Sequence, residues 1–371
     1  MERKHFLDNI RWVTVLLVLF YHVIYFYNAK GVFGGIGGFY EIQPWDAIMS
    51  LLYPWFMMLL FLVAGISSRY ALNSLSHKEF IKSRTRKLLV PATIGLFVFQ
   101  WMVGYFNTHV AGTDVMAAVP QPIKYFLWAV SGIGPLWFVQ DLWLFSLVLV
   151  LIRLVEKDKL YERCGKLFQG NNLGKSFAMV VIGYLLVWAG AQCSISHPNP
   201  ESLQGLWNLY RPFAYLVPFL LGYFVFSHDV VQDRLVRMRF PMLVFAIMSG
   251  ALFTFVMYGQ NDTDPIVLKG WLCNLFAWFT ILAILGCFKA WANKTNRFAT
   301  YMTKSSYGIY IVHYLVIGSL GYMMKVYTTL QPWMMYVILF VAVMLLSPAI
   351  YEILRRIPFI RWCVLGIKKT S

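Results

Sequence analysis

The sequence predicts an all-α polytopic membrane protein: one integral membrane domain over residues 1–371, with about ten transmembrane helices and both termini cytoplasmic. Three observations carry this. First, 59% of the residues are hydrophobic and only 13% charged, against about 25% charged in an ordinary soluble domain; the mean hydropathy is +0.62. Second, the apolar residues come in runs of about 18–20, long enough to cross a hydrocarbon layer of about 30 Å. Third, the basic residues concentrate in every second loop between those runs.

The first run, Ile10–Tyr27, is too long for a signal-peptide core. Its outer end has no small-residue cleavage site, so it reads as a retained helix. Ala47–Ser68 and Leu88–Tyr105 follow, the latter entered through a basic cluster at Arg84, Arg86 and Lys87. Pro135–Ile152 and Phe177–Ile195 flank a strongly basic loop. Pro212–Phe226 is short and holds two prolines, which predicts a kinked or tilted span whose freed backbone groups are satisfied by neighbours. Phe240–Tyr258, Val267–Phe288, Ser305–Met324 and Trp333–Leu354 complete the set. The sequence shows no internal repeat, low-complexity tract or soluble domain.

Loop charge sets the orientation. Of the 32 Lys and Arg, all but Lys30, Lys124, Arg211, Lys269 and Lys325 fall at one set of alternate span ends. The positive-inside rule then places both termini in the cytoplasm of a multi-pass protein of the cell membrane. A net charge of +16 on a soluble chain would point to nucleic acid. Distributed in this way it reads as membrane orientation, so the bilayer is the expected partner and nucleic acid is not. The weakly charged outer loops are the long ones: Asn28–Asp46, Phe106–Gly134 and Ser196–Arg211. Closely spaced glycines at Gly31–Gly38 follow no strand and open no phosphate-binding helix, so they read as a turn-rich outer loop rather than a nucleotide fingerprint. The five cysteines are scattered without CxxC or zinc-ligand spacing, and neither a metal site nor a disulfide framework is expected.

Ionisable side chains inside apolar runs cost about 2.5–3.5 kcal/mol each on insertion scales, and are functional candidates by default. His22 is the first. Arg11 lies eleven residues earlier, about 20° away in azimuth and about 16 Å along the axis, so the two share one helix face. Asp8 is placed to pair with Arg11. One face thus carries a cation near the cytoplasmic interface and a titratable base in the outer half of the membrane. The alternative role for His22 is an interhelical hydrogen bond. Asp141, beside Gln140, falls at a similar expected depth and is a candidate partner for the imidazole; a polar residue facing an aqueous vestibule is the alternative. His313, with Tyr310 one turn before it, could line a cavity with Tyr307 and Asn274, or serve as a structural hydrogen-bonding group. Arg211 begins the sixth span as an acceptor-binding residue or an interfacial anchor.

The segment Leu7-Asp8-Asn9-Ile10-Arg11 with His22 behind it resembles the first helix of the acyltransferase 3 family of membrane O-acyltransferases. The resemblance continues over roughly Phe6 to Ile350. Phe61-Leu62-Val63-Ala64-Gly65 resembles the family's Phe-Phe-x-Ser-Gly segment, with Ala64 where serine is common. Arg84-Thr85-Arg86-Lys87 resembles its Arg-x-x-Arg entrance to the third helix, with lysine in the second basic place. Leu136-Trp137-Phe138, Phe219-Leu220-Leu221-Gly222 and the run from Ser306 to His313 resemble further family segments. The overall flavour is closest to a branch containing a glucan succinyltransferase.

The resemblance implies transfer of an acyl group, acetyl first and succinyl as the alternative, from cytoplasmic acyl-CoA to a hydroxyl of an extracytoplasmic carbohydrate or glycan. It makes His22 the essential histidine. Acyl-CoA is then a co-substrate, with no permanently bound cofactor. A neutral imidazole can accept the hydroxyl proton or carry the acyl group itself. Arg11, Arg84, Arg86 and Lys87 are candidates for the coenzyme A phosphates, although topology and anionic lipid alone also call for cations there. Trp137, Arg211, Tyr307 and His313 are candidates for substrate contact, and Asp141 for the catalytic pair. A transporter exporting a glycan or small metabolite is the rival reading, but it leads one to expect related halves, which the sequence lacks.

Overall fold

The computed structural model describes residues 3–30, 41–110, 116, 118–170, 172–194 and 211–368. The glycine stretch at 31–38 and most of the loop at 196–211 lie outside these residues. Among the described residues all regular structure is helical.

Eight helices are long and apolar enough to cross a membrane by length and composition. In chain order the helices are α1 (His5–Tyr25), α2 (Asp46–Leu72), α3 (His77–Arg84), α4 (Trp101–Val110), α5 (Gln121–Ser131), α6 (Gly134–Glu156), α7 (Lys159–Leu167), α8 (Leu173–Cys193), α9 (Pro212–Phe226), α10 (Asp229–Val256), α11 (Pro265–Lys269), α12 (Trp271–Trp291), α13 (Arg297–Tyr327), α14 (Pro332–Leu354) and α15 (Pro358–Cys363). The eight are α1, α2, α6, α8, α10, α12, α13 and α14. Their outward faces keep large apolar side chains exposed, among them Phe177, Phe255 and Leu345. Such faces suit lipid and not water.

The third and sixth expected spans differ from the other eight. The sixth is α9, a shorter apolar helix that holds Pro218 and finishes in a π-helical turn at Gly222–Phe226. The third is not one continuous helix. π-helical Thr85–Leu89 leads into a turn at Pro91, then π-helical Leu96–Gln100, then α4. Proline has no N–H to donate and its ring clashes with the preceding turn, so the hydrogen-bond ladder resets there. The described part of the expected loop after it also holds regular structure. It contains α5, which lies so close to the foregoing segment that a Cβ at Gly104 would meet the Trp128 carbonyl and one at Gly132 the Gln100 carbonyl.

Several helices outrun their apolar stretches. α10 begins at Asp229, well before Phe240, and α13 begins at Arg297, where the Asn296 side chain caps it by accepting from the Ala299 N–H at 2.8 Å. Hydropathy marks the part suited to lipid, whereas caps end the helix.

The bundle packs through glycines. Gly65 on α2 and Gly222 on α9 face each other: a Cβ at Gly65 would meet the Phe219 carbonyl, and one at Gly222 the Leu62 carbonyl. α10 and α12 approach in the same way, with Gly250 against the Phe276 ring and Gly286 against the Leu235 carbonyl. Small residues let helix backbones come close where no water drives association. At the end of α1, the fully buried Lys30 pairs with fully buried Asp262 at 2.7 Å and donates to Ser50 at 2.8 Å. This ties the exit of α1 to α2 and to the turn after α10.

Candidate active site

Two clusters lie on one face of α1. The first surrounds Arg11, at the helix end that carries the basic loops. Arg11 pairs with Asp8 at 3.0 Å, and Asp8 also holds Arg3 at 2.9 Å. The second amine of the Arg11 guanidinium donates to Ser67 on α2. The next residue, Ser68, accepts from Arg84 at 2.9 Å. Each serine sends its own proton to its helix backbone, Ser67 to Val63 at 2.7 Å and Ser68 to Ala64 at 2.8 Å, which leaves a lone pair for an arginine. Adjacent serines thereby hold two arginines from two different elements.

Arg84 ends α3, whose start is fixed by a capping box between Ser76 and Glu79. Burial, with Arg11 close by, pushes the Arg84 guanidinium down to about 10, so it is still a cation at neutral pH. Burial and then Arg84, Arg86 and Arg11 also lower the amine of Lys87. Among the described residues Arg84 makes no ion pair, and the buried Nε of Arg86 has no hydrogen-bond partner. Four cations thus converge with Asp8 as the carboxylate paired to one of them. The π-helical stretch that presents Arg86 and Lys87 is braced from three sides. Trp143 donates to Thr85 at 3.0 Å and Tyr307 to the Lys87 carbonyl at 2.6 Å. The chain after α15 lies against it at Gly366, where a Cβ would meet the Arg86 carbonyl.

The second cluster surrounds His22. Its Nδ1 lies 2.8 Å from the Val18 carbonyl and 3.2 Å from Nε2 of His313 on α13. His313 is fully buried, and its Nδ1 lies 2.5 Å from the Tyr310 carbonyl. His22 is half-buried as a residue. The edges of Tyr21, Tyr25 and Tyr314 surround it, at centroid distances of 5.3, 5.8 and 5.4 Å. Tyr310 donates to the Pro135 carbonyl at the start of α6, which ties α13 to that helix.

The remaining candidates are dispersed. Asp141 is fully buried on α6, but neither carboxyl oxygen has a hydrogen-bond partner among the described residues. The bond to His22 left open for it is made by His313 instead. Asp141 lies between Phe138 and Phe145, which pack on Phe61 of α2, and so shares their stripe. Trp137 stacks within the same aromatic group, 5.2 Å from Tyr215. Arg211 is buried, donates to the Leu268 carbonyl at 3.3 Å and sits over the Tyr215 ring. Asn274 donates to the Leu268 and Gly270 carbonyls, while the Tyr307 hydroxyl goes to Lys87, so neither joins His313 in one cavity wall. Ser67, Ser68 and the tyrosine surround escape a sequence reading. Two serines in an apolar run are ordinary small residues until their arginine partners are placed.

Residues 4–352 match the family model described as an acyltransferase domain. The chain therefore belongs to this acyltransferase 3 family of helical membrane proteins. No curated protein and no solved structure matches the chain.

Proposed function

We propose that this protein is an acyl-CoA-dependent O-acyltransferase of the cell membrane. It takes an acyl group, acetyl or succinyl, from cytoplasmic acyl-CoA and places it on a hydroxyl of an extracytoplasmic carbohydrate or glycan. In this reading the chain spans the bilayer ten times, counting α9 and the broken segment before α4, with both termini in the cytoplasm. The observation that carries the proposal is the pairing of two clusters on α1. Arg11, Arg84, Arg86 and Lys87 form an underneutralised cationic mouth at one end, and the imidazole of half-buried His22 lies about 16 Å further along the same helix face. That separation suits a donor whose phosphates bind at one end and whose thioester reaches inward.

The chemistry balances without any further reactant. Neutral His22 accepts the proton of the acceptor hydroxyl as its oxygen attacks the thioester carbonyl. The carbon–sulfur bond breaks, and the imidazolium returns the proton to the leaving thiolate. The products are an ester and free coenzyme A. Fixed arginines hold the phosphates with charge-assisted hydrogen bonds, worth more than neutral ones.

Purified protein in nanodiscs, given acetyl-CoA and then succinyl-CoA with a glucan acceptor, tests the reading by thiol release. The wild-type chain is expected to release thiol. His22→Ala is expected to lose about 10²–10⁴-fold, the usual range for a removed general base. Full thiol release by a folded His22→Ala protein removes His22 from the chemistry. Movement of unmodified glucan across vesicles with no thiol released makes the chain a transporter.

A further inference from the structure

We infer that His313 is a positioning residue for His22: it accepts the His22 Nδ1–H and so leaves Nε2 as the one nitrogen with a free lone pair. This rests on the reading of His22 as the base. The argument is one of donors and acceptors. A backbone carbonyl only accepts, so a ring nitrogen within hydrogen-bond reach of one must carry the proton. His22 Nδ1 lies 2.8 Å from the Val18 carbonyl, and His313 Nδ1 lies 2.5 Å from the Tyr310 carbonyl. Both neutral rings are therefore protonated at Nδ1.

Nε2 of His313 then holds a lone pair. It lies 3.2 Å from His22 Nδ1, whose single proton is shared between the Val18 carbonyl and this nitrogen. Every nitrogen in the pair is accounted for with both rings neutral, except Nε2 of His22. Among the described residues that nitrogen has no hydrogen-bond partner, and it can take a proton from the acceptor hydroxyl.

The arrangement has a chemical consequence. When His22 becomes an imidazolium, its Nδ1–H turns into a charge-assisted donor to two fixed acceptors. His313 thus occupies the place that a carboxylate takes behind the histidine of a hydrolase triad. A neutral ring does this without burying a second charge in the bundle. The Tyr310 carbonyl holds His313 through its Nδ1–H. Tyr310 itself is anchored by its hydroxyl to the Pro135 carbonyl, so the chain of contacts runs from α6 through α13 to α1.

The experiment has two arms. In the first, nitrogen-15 NMR of histidine-labelled protein at neutral pH reads the tautomers, with His22→Gln and His313→Gln used to assign the signals. Both residues are expected as the Nδ1–H form; an Nε2–H form of His22 overturns the inference whatever the variants do. In the second, kinetics separate the role from a structural one. His313→Leu is expected to lower kcat about 10–100-fold with KM for acyl-CoA unchanged, the scale seen for groups that orient an active residue. His313→Gln, which can place an amide oxygen toward Nδ1, is expected to recover most of the loss. A folded His313→Leu protein with unchanged kcat overturns the inference while leaving His22→Ala to report on the base. If His22→Ala is itself fully active, the underlying reading fails instead.

Discussion

Ser67 and Ser68 show how the arginine cluster is built at the scale of single residues. Each spends its proton on its own helix and offers a lone pair to an arginine, so Arg11 and Arg84 are held side by side despite their repulsion. Uncompensated buried charge is costly, and an anion relieves it. Arg84→Gln is therefore expected to raise KM for acyl-CoA about 10–100-fold, the equivalent of one charge-assisted hydrogen bond of about 1.5–3 kcal/mol, with kcat little changed. The difference in KM is expected to shrink at high salt, where the remaining cations are screened as well. Steady-state kinetics at two ionic strengths check this, and an unchanged KM removes Arg84 from the donor site. At this scale the sequence was informative where one helix carries both partners. The Asp8–Arg11 pair and the common face of Arg11 and His22 follow from helical spacing alone. The partner of His22 did not follow: His313 and Asp141 lie on different helices, and only packing decides which of them meets the imidazole.

The elements are joined where the chain has no side chain to spare. Phe61–Gly65 and Phe219–Tyr223 each resemble a family segment in sequence. In the fold they are one contact, with Gly65 and Gly222 each against the other helix's backbone. Either Gly65→Ala or Gly222→Ala is expected to cost about 1–3 kcal/mol by forcing the helices apart, the usual penalty for overpacking a tight interface. Thermal unfolding in detergent measures it, and an unchanged melting temperature in both variants contradicts the contact. The element least legible in the sequence was the third expected span. Its hydropathy is continuous, but Pro91 resets the backbone hydrogen bonds and leaves two π-helical stretches, a form common near functional sites. The same irregular stretch presents Arg86 and Lys87. The chain beyond α14 is also easy to overlook, since residues 353–368 fall outside the family match at 4–352. Yet Cys363, Val364 and Leu365 are buried, and Gly366 lies against the Arg86 carbonyl, so this segment braces the stretch that presents Arg86 and Lys87.

Across the whole molecule, composition and run length were enough for the class: a helical bundle with apolar outer faces, in which eight helices satisfy the length and hydropathy of a span. They could not resolve α9 or the broken segment before α4, because a short or interrupted helix owes its place to its neighbours. The proposed orientation rests on loop charge and gives α1 its meaning. It puts the arginines at the cytoplasmic side, where the proposed donor would enter, and the imidazole nearer the opposite side, where the proposed acceptor would lie. The most direct test uses membrane vesicles of both orientations and acetyl- or succinyl-CoA labelled in the acyl group, supplied only from outside. Inside-out vesicles are expected to label the glycan in their lumen, right-side-out vesicles to remain unlabelled, and inside-out vesicles carrying His22→Ala to match the unlabelled ones. Equal labelling from both orientations, or undiminished labelling by the His22→Ala protein, would contradict transfer across the membrane through that histidine.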